Sequence, residues 1–245
     1  MNRVDSERHG ESRATVVFGT TNLGKLRELR RLVAGLPLHV LGPEDLPAEL
    51  PEVVEDGATF AANAEKKAVA WARFSGHLTL ADDSGLCVDA LGGAPGVHSA
   101  RWSDLDPEGE LASPVCELPG VAAAELGPVA GRAVRDERNN DKLLRALLGV
   151  PDERRGAEYQ AVLCLAQPDG AVVASVTGRC RGRIGHVRRG SGGFGYDPLF
   201  VTEVGGSGAP RTMAELGAEE KDAISHRGAA FRLLLPVLEK LARGP

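Results

Sequence analysis

The stretch HLTLADDSGLCVDAL, residues 77–91, decides the fold because it places two adjacent carboxylates beside a short apolar run. We interpret it as strand, turn, strand, with Ser84-Gly85 forming the turn. Neighbouring strand residues point to opposite faces, so Asp82 and Asp83 can face one pocket only if the strand ends between them, and we predict that it does. Carboxylates at the C-terminal end of a strand lie where α/β sheets bind ligands, although capping the turn is the alternative role for one of them.

The residues before this stretch predict two strands and two helices. Apolar runs predict strands at 14–19 and 38–41. Leucines at helical spacing after Asn22, a suitable N-cap, predict the first helix, and Thr59 is the predicted cap of the second. On the first helix we expect the charged side chains to stay in solvent: Arg27, Glu28, Arg30 and Arg31.

The second half of the chain predicts a hairpin and a final helix. Residues 103–132 are rich in Pro, Gly, Ala and acidic residues without a period, which is typical of a surface insertion. Its composition favours disorder over the alternatives of a lid or an oligomer contact. Helical spacing resumes near Asn140, and alternating residues around Asp169-Gly170 predict a β-hairpin. Further on, Thr212 and Glu215 have capping-box spacing, and Ser225 is a suitable cap for a helix that reaches Ala242.

Composition limits the class of protein. With 245 residues, 42% of them hydrophobic, we expect a single α/β domain at 14–245 after a polar, disordered tail at 1–13. An apolar run long enough to span a membrane and a signal peptide are both lacking, so we expect a cytoplasmic protein without membrane contact. The four cysteines are irregularly spaced, which supports neither a metal-binding motif nor a disulfide framework. The net charge of −5 argues against a nucleic-acid partner.

Two groups of cations lie where a helix begins, which helix dipoles disfavour. Lys25 ends the stretch TTNLGK, residues 20–25, in the first turn of its helix, and a bound anion such as phosphate would explain a cation at that position. His226 and Arg227 open the last helix, with Lys221 just before it. Taken singly, each is also compatible with an ordinary solvated, capping or salt-bridged side chain.

Carboxylates suited to Mg²⁺ accompany these cations. Glu55, Asp82 and Asp83 match the preference of Mg²⁺ for a few carboxylate oxygens, waters and substrate phosphates. Asn63 and Lys67 are four residues apart on one helix face and can both point toward Glu55, with a merely solvated lysine as the alternative.

Five blocks in order resemble the inosine triphosphate pyrophosphatase family, which converts dITP, ITP and XTP to monophosphate and pyrophosphate. The blocks are TTNLGK, EDGATFAANAEKKA, LADDSGLCVDALGGAPGVHSARW, GSGGFGYDPLF and EEKDAISHRG. The resemblance implies an elongated mixed sheet flanked by helices, two lobes with the active-site cleft between them, and a homodimer. Thr21 departs from the family pattern, which commonly has glycine there.

The resemblance also implies roles for single residues. Glu55 and Asp83 are implied as Mg²⁺ ligands, Asp83 as the general base and Asp82 as a second catalytic residue. Ser84, beside them, and Asn63 are implied as substrate contacts. The other implied substrate contacts fall into three groups. Triphosphate contacts are Thr20, Thr21, Asn22, Leu23, Gly24, Lys25 and Lys67. The segment against the base is Phe194, Gly195, Tyr196 and Asp197. The residues that read the base are Lys221, His226 and Arg227.

Two other functions compete with this one. A Maf-type nucleotide pyrophosphatase would share the chemistry but act on other bases, and the GGFGYDP and SHR stretches argue against it. A non-catalytic nucleotide-binding module is the third reading, and the intact carboxylates Glu55, Asp82 and Asp83 argue against that.

Overall fold

A computed structural model describes residues 14–46, 50–105, 128–202 and 209–243. The predicted tail at 1–13 lies outside these ranges, as does residues 106–127 of the predicted insertion. At the edges of that segment, the chain forms a 3₁₀ helix at Gly96–Leu105 and resumes as a helix at Pro128.

One mixed sheet organises the fold, as the sequence predicted. Its six strands are β1 (Ala14–Phe18), β2 (Leu38–Leu41), β3 (Leu78–Val88), β4 (Gly156–Ala166), β5 (Val172–Ile184) and β6 (Phe200–Thr202). Their order is β2-β1-β3-β4-β5-β6. The pairs β1–β2 and β1–β3 are parallel, and the pairs from β3 to β6 are antiparallel. The predicted hairpin is β4 and β5.

In the described ranges five helices flank the sheet, and three of their predicted caps are confirmed. The helices are α1 (Leu23–Val33), α2 (Phe60–Ser75), α3 (Pro128–Ala146), α4 (Ala218–Ile224) and α5 (His226–Ala242). The side chains of Asn22, Thr59 and Ser225 each accept a backbone N–H at the start of α1, α2 and α5. The capping box of Thr212 and Glu215 also forms, at a 3₁₀ turn. Helix α3 begins twelve residues before the predicted Asn140, at Pro128.

The predicted turn at Ser84-Gly85 is wrong, because β3 is one continuous strand. Asp82, Asp83, Ser84 and Gly85 keep their ladder partners on β4. Gly85 has a different reason for lacking a side chain, since a Cβ there would collide with the Ser99 hydroxyl. The glycine thus allows close packing and does not form a turn.

Three hydrophobic clusters frame the sheet. The first joins α1 and α5 to one face, the second packs α3 against β4 to β6, and the third packs α2 against the other face of β3 and β4. Strand β1 pairs with β3 only as far as Leu80, so β3 has an open side from Ala81 onward. None of the helices in the described ranges has the length and apolar character needed to cross a membrane.

Candidate active site

A cavity of about 430 Å³ opens where β1 ends beside β3. Most of the predicted site residues line it: Thr20, Thr21, Asn22, Lys25, Glu55, Lys67, Asp83, Ser84, Phe194, Gly195, Tyr196, Asp197, Lys221, His226 and Arg227. Four do not line it: Leu23, Gly24, Asn63 and Asp82. The fold therefore brings together segments from nearly the whole chain.

The first turn of α1 forms one wall of the cavity. The Asn22 carboxamide oxygen accepts the Gly24 backbone N–H at 3.0 Å, and the Thr20 hydroxyl accepts the Asn22 N–H at 3.2 Å. The Asn22 side-chain nitrogen is buried and has no hydrogen-bond partner among the described residues. Gly24 lies under the Phe194 ring, since a Cβ there would be 2.6 Å from Phe194 Cδ1. This wall thus combines unused donors with a helix N-terminus, which suits an anion.

Lys25 tolerates the start of the helix because its ammonium group pairs with Asp82. Asp82 also accepts the Arg227 Nε–H at 3.0 Å and is fully shielded from solvent. Burial raises the pKa of Asp82, but the charges of Arg227 and Lys25 outweigh burial and lower it below its ordinary value. The cation at the helix start is therefore explained by an internal carboxylate, whether or not an anion also binds.

Lys67 lies between two carboxylates on the other face of β3. Its ammonium nitrogen is 3.0 Å from Glu55 and 3.3 Å from Asp83. Burial lowers the pKa of Lys67, but the negative charges of Asp83 and Glu55 outweigh burial and raise it above its ordinary value. The lysine therefore stays charged. Asn63 does not contact Glu55, and its oxygen accepts the Gly57 N–H at 2.8 Å instead.

Asp83 keeps one oxygen free for a ligand. Its Oδ2 atom is buried and finds no hydrogen-bond partner in the described part of the chain, and Asp83 lines the cavity. Burial raises its pKa, and the opposing charges of Lys67 and Lys25 do not fully cancel that effect. Within the described ranges, no group of three or more Asp, Glu, His or Cys side chains is placed to hold a metal ion. Two carboxylates with one unsatisfied oxygen nevertheless fit Mg²⁺, which keeps several waters and substrate oxygens.

A row of buried alternating charges supports the opposite wall. Glu28 contacts the Arg227 guanidinium and lies 2.8 Å from Lys221, which reaches Asp197 at 2.5 Å. The prediction that Glu28 faces solvent is wrong, because its side chain is only 6% exposed. Burial raises the pKa of Glu28, but Arg227 and Lys221 lower it to about 2. Arg227 also donates to the Ser84 hydroxyl at 2.9 Å, so its three nitrogens are all engaged.

Aromatic rings lie beside this row. Lys221 is 4.8 Å from the centre of the Phe194 ring, and the Phe194 backbone N–H donates to Asp197 at 2.9 Å. His226 stacks on Tyr159 with ring centres 4.7 Å apart. Burial and the neighbouring Arg227 lower the pKa of His226 well below its ordinary value, so the imidazole is neutral. The rings and donors together suit a flat heteroaromatic ligand.

Several lining residues were not predicted from sequence: Trp71, Ser99, Arg132, Asp136 and Tyr159. Trp71 lies one helical turn after Lys67, and this spacing is the sequence signal that could have indicated it. Asp136 accepts the Gly195 backbone N–H at 3.0 Å and so fixes the glycine-rich segment. Tyr159 lies within a buried strand, where the sequence predicts that an aromatic residue belongs to the hydrophobic core.

Known proteins resemble this chain over nearly its whole length. The sequence profile of the Ham1 family matches residues 16–118 and 113–237. A protein of Anaeromyxobacter dehalogenans named dITP/XTP pyrophosphatase is 74% identical over 233 residues, covering 94% of this chain and 99% of that protein. A Streptomyces coelicolor protein of the same name is 43% identical over 228 residues, covering 92% of this chain and 98% of that protein.

Solved structures agree with the sequence matches. The structure of a HAM1 protein from Coxiella burnetii has a TM-score of 0.69 and 33% identity, covering 92% of this chain and 98% of that protein. A nucleoside-triphosphatase, dITP/XTP pyrophosphatase, from Mycobacterium abscessus has a TM-score of 0.62 and 39% identity, covering 91% of this chain and 99% of that protein. The resemblance carried by the five sequence blocks is confirmed, and the chain belongs to the Ham1 family.

Proposed function

We propose that this protein hydrolyses nucleoside triphosphates with non-standard purines, dITP, ITP and XTP, to the monophosphate and pyrophosphate. The observation that carries the proposal is one cavity with an unpartnered Asp83 oxygen beside Lys67 and the start of α1, and aromatic rings at its other wall. Relatives named dITP/XTP pyrophosphatase, up to 74% identical, support the same reaction.

The triphosphate occupies the α1 side of the cavity in this proposal. The Asn22 amide hydrogens and the ammonium group of Lys67 are the donors available there, and the N-terminus of α1 adds a favourable dipole. Lys25 adds positive charge while Asp82 holds its position. Asp82 therefore acts through Lys25 and Arg227, as a positioning residue buried behind the cavity wall.

Glu55 and Asp83 would hold Mg²⁺. When bound, the metal would neutralise charge on the phosphate oxygens. Lys67 stands between these carboxylates and limits their repulsion before substrate arrives. Before a metal binds, burial raises the pKa of Asp83 above its ordinary value. Asp83 accepts the proton of the water that attacks the α-phosphorus, and pyrophosphate leaves.

The base stacks on Phe194 and meets donors from the charge row. A 6-keto purine offers an oxygen acceptor where adenine offers an amino donor, so Lys221 favours hypoxanthine and xanthine. His226 is neutral and can present one N–H. Glu28 and Asp197 orient Lys221, which leaves its remaining N–H for the base.

We also propose a cytoplasmic homodimer, as the family resemblance implies. Light scattering coupled to size-exclusion chromatography measures the mass directly. A mass near 51 kDa, twice the 25.7 kDa of one chain, is expected, and a monomer at micromolar concentration would contradict the dimer.

The reaction is tested by pyrophosphate release from ITP, dITP, XTP, ATP, GTP and dTTP with Mg²⁺. We expect turnover of the first three and little of the others. Preference for dTTP would favour the Maf-type activity, and binding without turnover would favour a non-catalytic module. Asp83→Asn should lower kcat by roughly 100-fold or more, because a carboxamide accepts no proton. Asp169→Asn, at the hairpin turn away from the cavity, is the matched control and should keep full activity.

A further inference from the structure

Trp71 on α2 is a buried aromatic residue at the wall of the cavity. Its side chain is 4% exposed, yet it is a member of none of the three hydrophobic clusters. The neighbouring residues on the same helix, Ala68 and Ala72, do belong to the third cluster. Trp71 also lines the cavity, which makes it a candidate for contact with a ligand.

The indole N–H of Trp71 is available to a ligand. Across the described ranges it donates no hydrogen bond, and its nitrogen is not among the fully buried unpartnered atoms. Buried tryptophans usually find a partner for this N–H. Because Trp71 borders the cavity, its unpartnered N–H is a candidate donor to a ligand bound there.

The position of Trp71 identifies the part of the ligand that it meets. A Cβ on Gly19 would lie 3.2 Å from Trp71 Cγ, so the indole packs directly against the residue before Thr20. Trp71 also follows Lys67 by one helical turn, on the same side of α2. Thr20 and Lys67 both belong to the phosphate side of the proposed site, whereas Phe194 and Tyr159 lie at the aromatic wall.

We infer that Trp71 is a substrate-binding residue whose indole N–H donates to an oxygen of the polyphosphate, in the part released as pyrophosphate. The inference rests on the proposed function for the placement of the phosphates. Its ligand class is inorganic or nucleotide-linked pyrophosphate. An indole N–H carries no charge, so the contact adds directional binding without increasing the positive charge of the site.

Fluorescence offers a direct readout, because the chain contains two tryptophans, Trp71 and Trp102. Trp102 stands beside Lys142 and does not line the cavity, so Trp102→Phe leaves Trp71 as the single reporter. We expect Mg²⁺-pyrophosphate to change the emission of this variant in a saturable way. Trp71→Phe, which keeps an aromatic ring and loses the N–H, should bind pyrophosphate about 10-fold more weakly by calorimetry. Its affinity for IMP should stay within about twofold of the parent.

Two results would overturn the inference. One is pyrophosphate binding by Trp71→Phe that equals binding by Trp102→Phe. The other is calorimetric binding of pyrophosphate to Trp102→Phe without any change in emission, which decides the question even where Trp71→Phe does not fold. Failure of the proposed function gives a separate result. A parent protein that binds pyrophosphate at Trp71 but hydrolyses no nucleoside triphosphate would refute the function alone.

Discussion

Replacing Glu28 by Gln should destabilise the protein strongly, although the change is nearly isosteric. Glu28 is buried between Arg227 and Lys221 and is the shared carboxylate of both cations. Gln keeps one oxygen acceptor but no charge, so two buried cations lose their common partner. Removing one member of a buried ion pair costs about 3–5 kcal/mol because the remaining charge is left unpaired.

The lowered pKa of Glu28 leads to a similar value for the loss of stability. Folding lowers it from an ordinary 4.5 to about 2. At about 1.4 kcal/mol per pH unit, this corresponds to about 3 kcal/mol of stability at neutral pH. For a domain of this size we expect a decrease in Tm of about 6–12 °C.

Urea unfolding at pH 7 and pH 3 tests the electrostatic origin. Because the folded pKa is lowered, the stabilisation is complete above pH 4.5 and is lost as the pH falls toward 2. The difference between parent and Glu28→Gln should thus shrink to about 1.4 kcal/mol at pH 3. Glu44→Gln is the matched control, since Glu44 pairs with Arg30 at the surface and should change stability by less than about 0.5 kcal/mol. Equal differences at both pH values, or an effect no larger than that of Glu44→Gln, would refute the reasoning.

Two further predictions concern the cavity. Gly24→Ala should raise KM for ITP several-fold because its methyl group displaces the Phe194 ring. It should not lower Tm, since alanine favours a helix over glycine by about 1 kcal/mol. Gly35→Ala, whose methyl group would meet no atom within 4 Å, is the control, and an unchanged KM for Gly24→Ala would contradict the role of the ring. EDTA should abolish turnover, and added Mg²⁺ should restore the turnover. Tm should change by no more than about 2 °C, since Lys67 already pairs with Glu55 and Asp83. A large fall in Tm would instead indicate a structural metal.

Local signals in the sequence were reliable. Helix caps at Asn22, Thr59 and Ser225 were predicted correctly because a cap is decided within three or four residues. The hairpin was likewise indicated by alternation on both sides of Asp169-Gly170. Strands and caps of this kind can be predicted from a single sequence because their partners are close in the chain.

Long-range partners explain what sequence did not reveal. Glu28 was expected in solvent because its helix neighbours are charged, but its partner Arg227 lies 199 residues further along the chain. Gly85 was interpreted as a turn residue, whereas its role is close contact with Ser99. In both cases the residue contacts an element whose position only the fold determines. The folded structure therefore shows why that residue type is needed, and the local sequence does not.

The continuous strand β3 also explains how neighbouring carboxylates acquire different roles. Alternation sends Asp82 toward Lys25 and Arg227, and Asp83 toward Lys67 on the opposite face. Strand β1 ends opposite Leu80, so the open side of β3 gives one cavity access to both faces without a turn. The two cations around Asp82 lower its pKa, while burial beside a single close cation leaves that of Asp83 raised. The uninterrupted strand therefore separates a positioning residue, held by Lys25 and Arg227, from the proposed base beside Lys67.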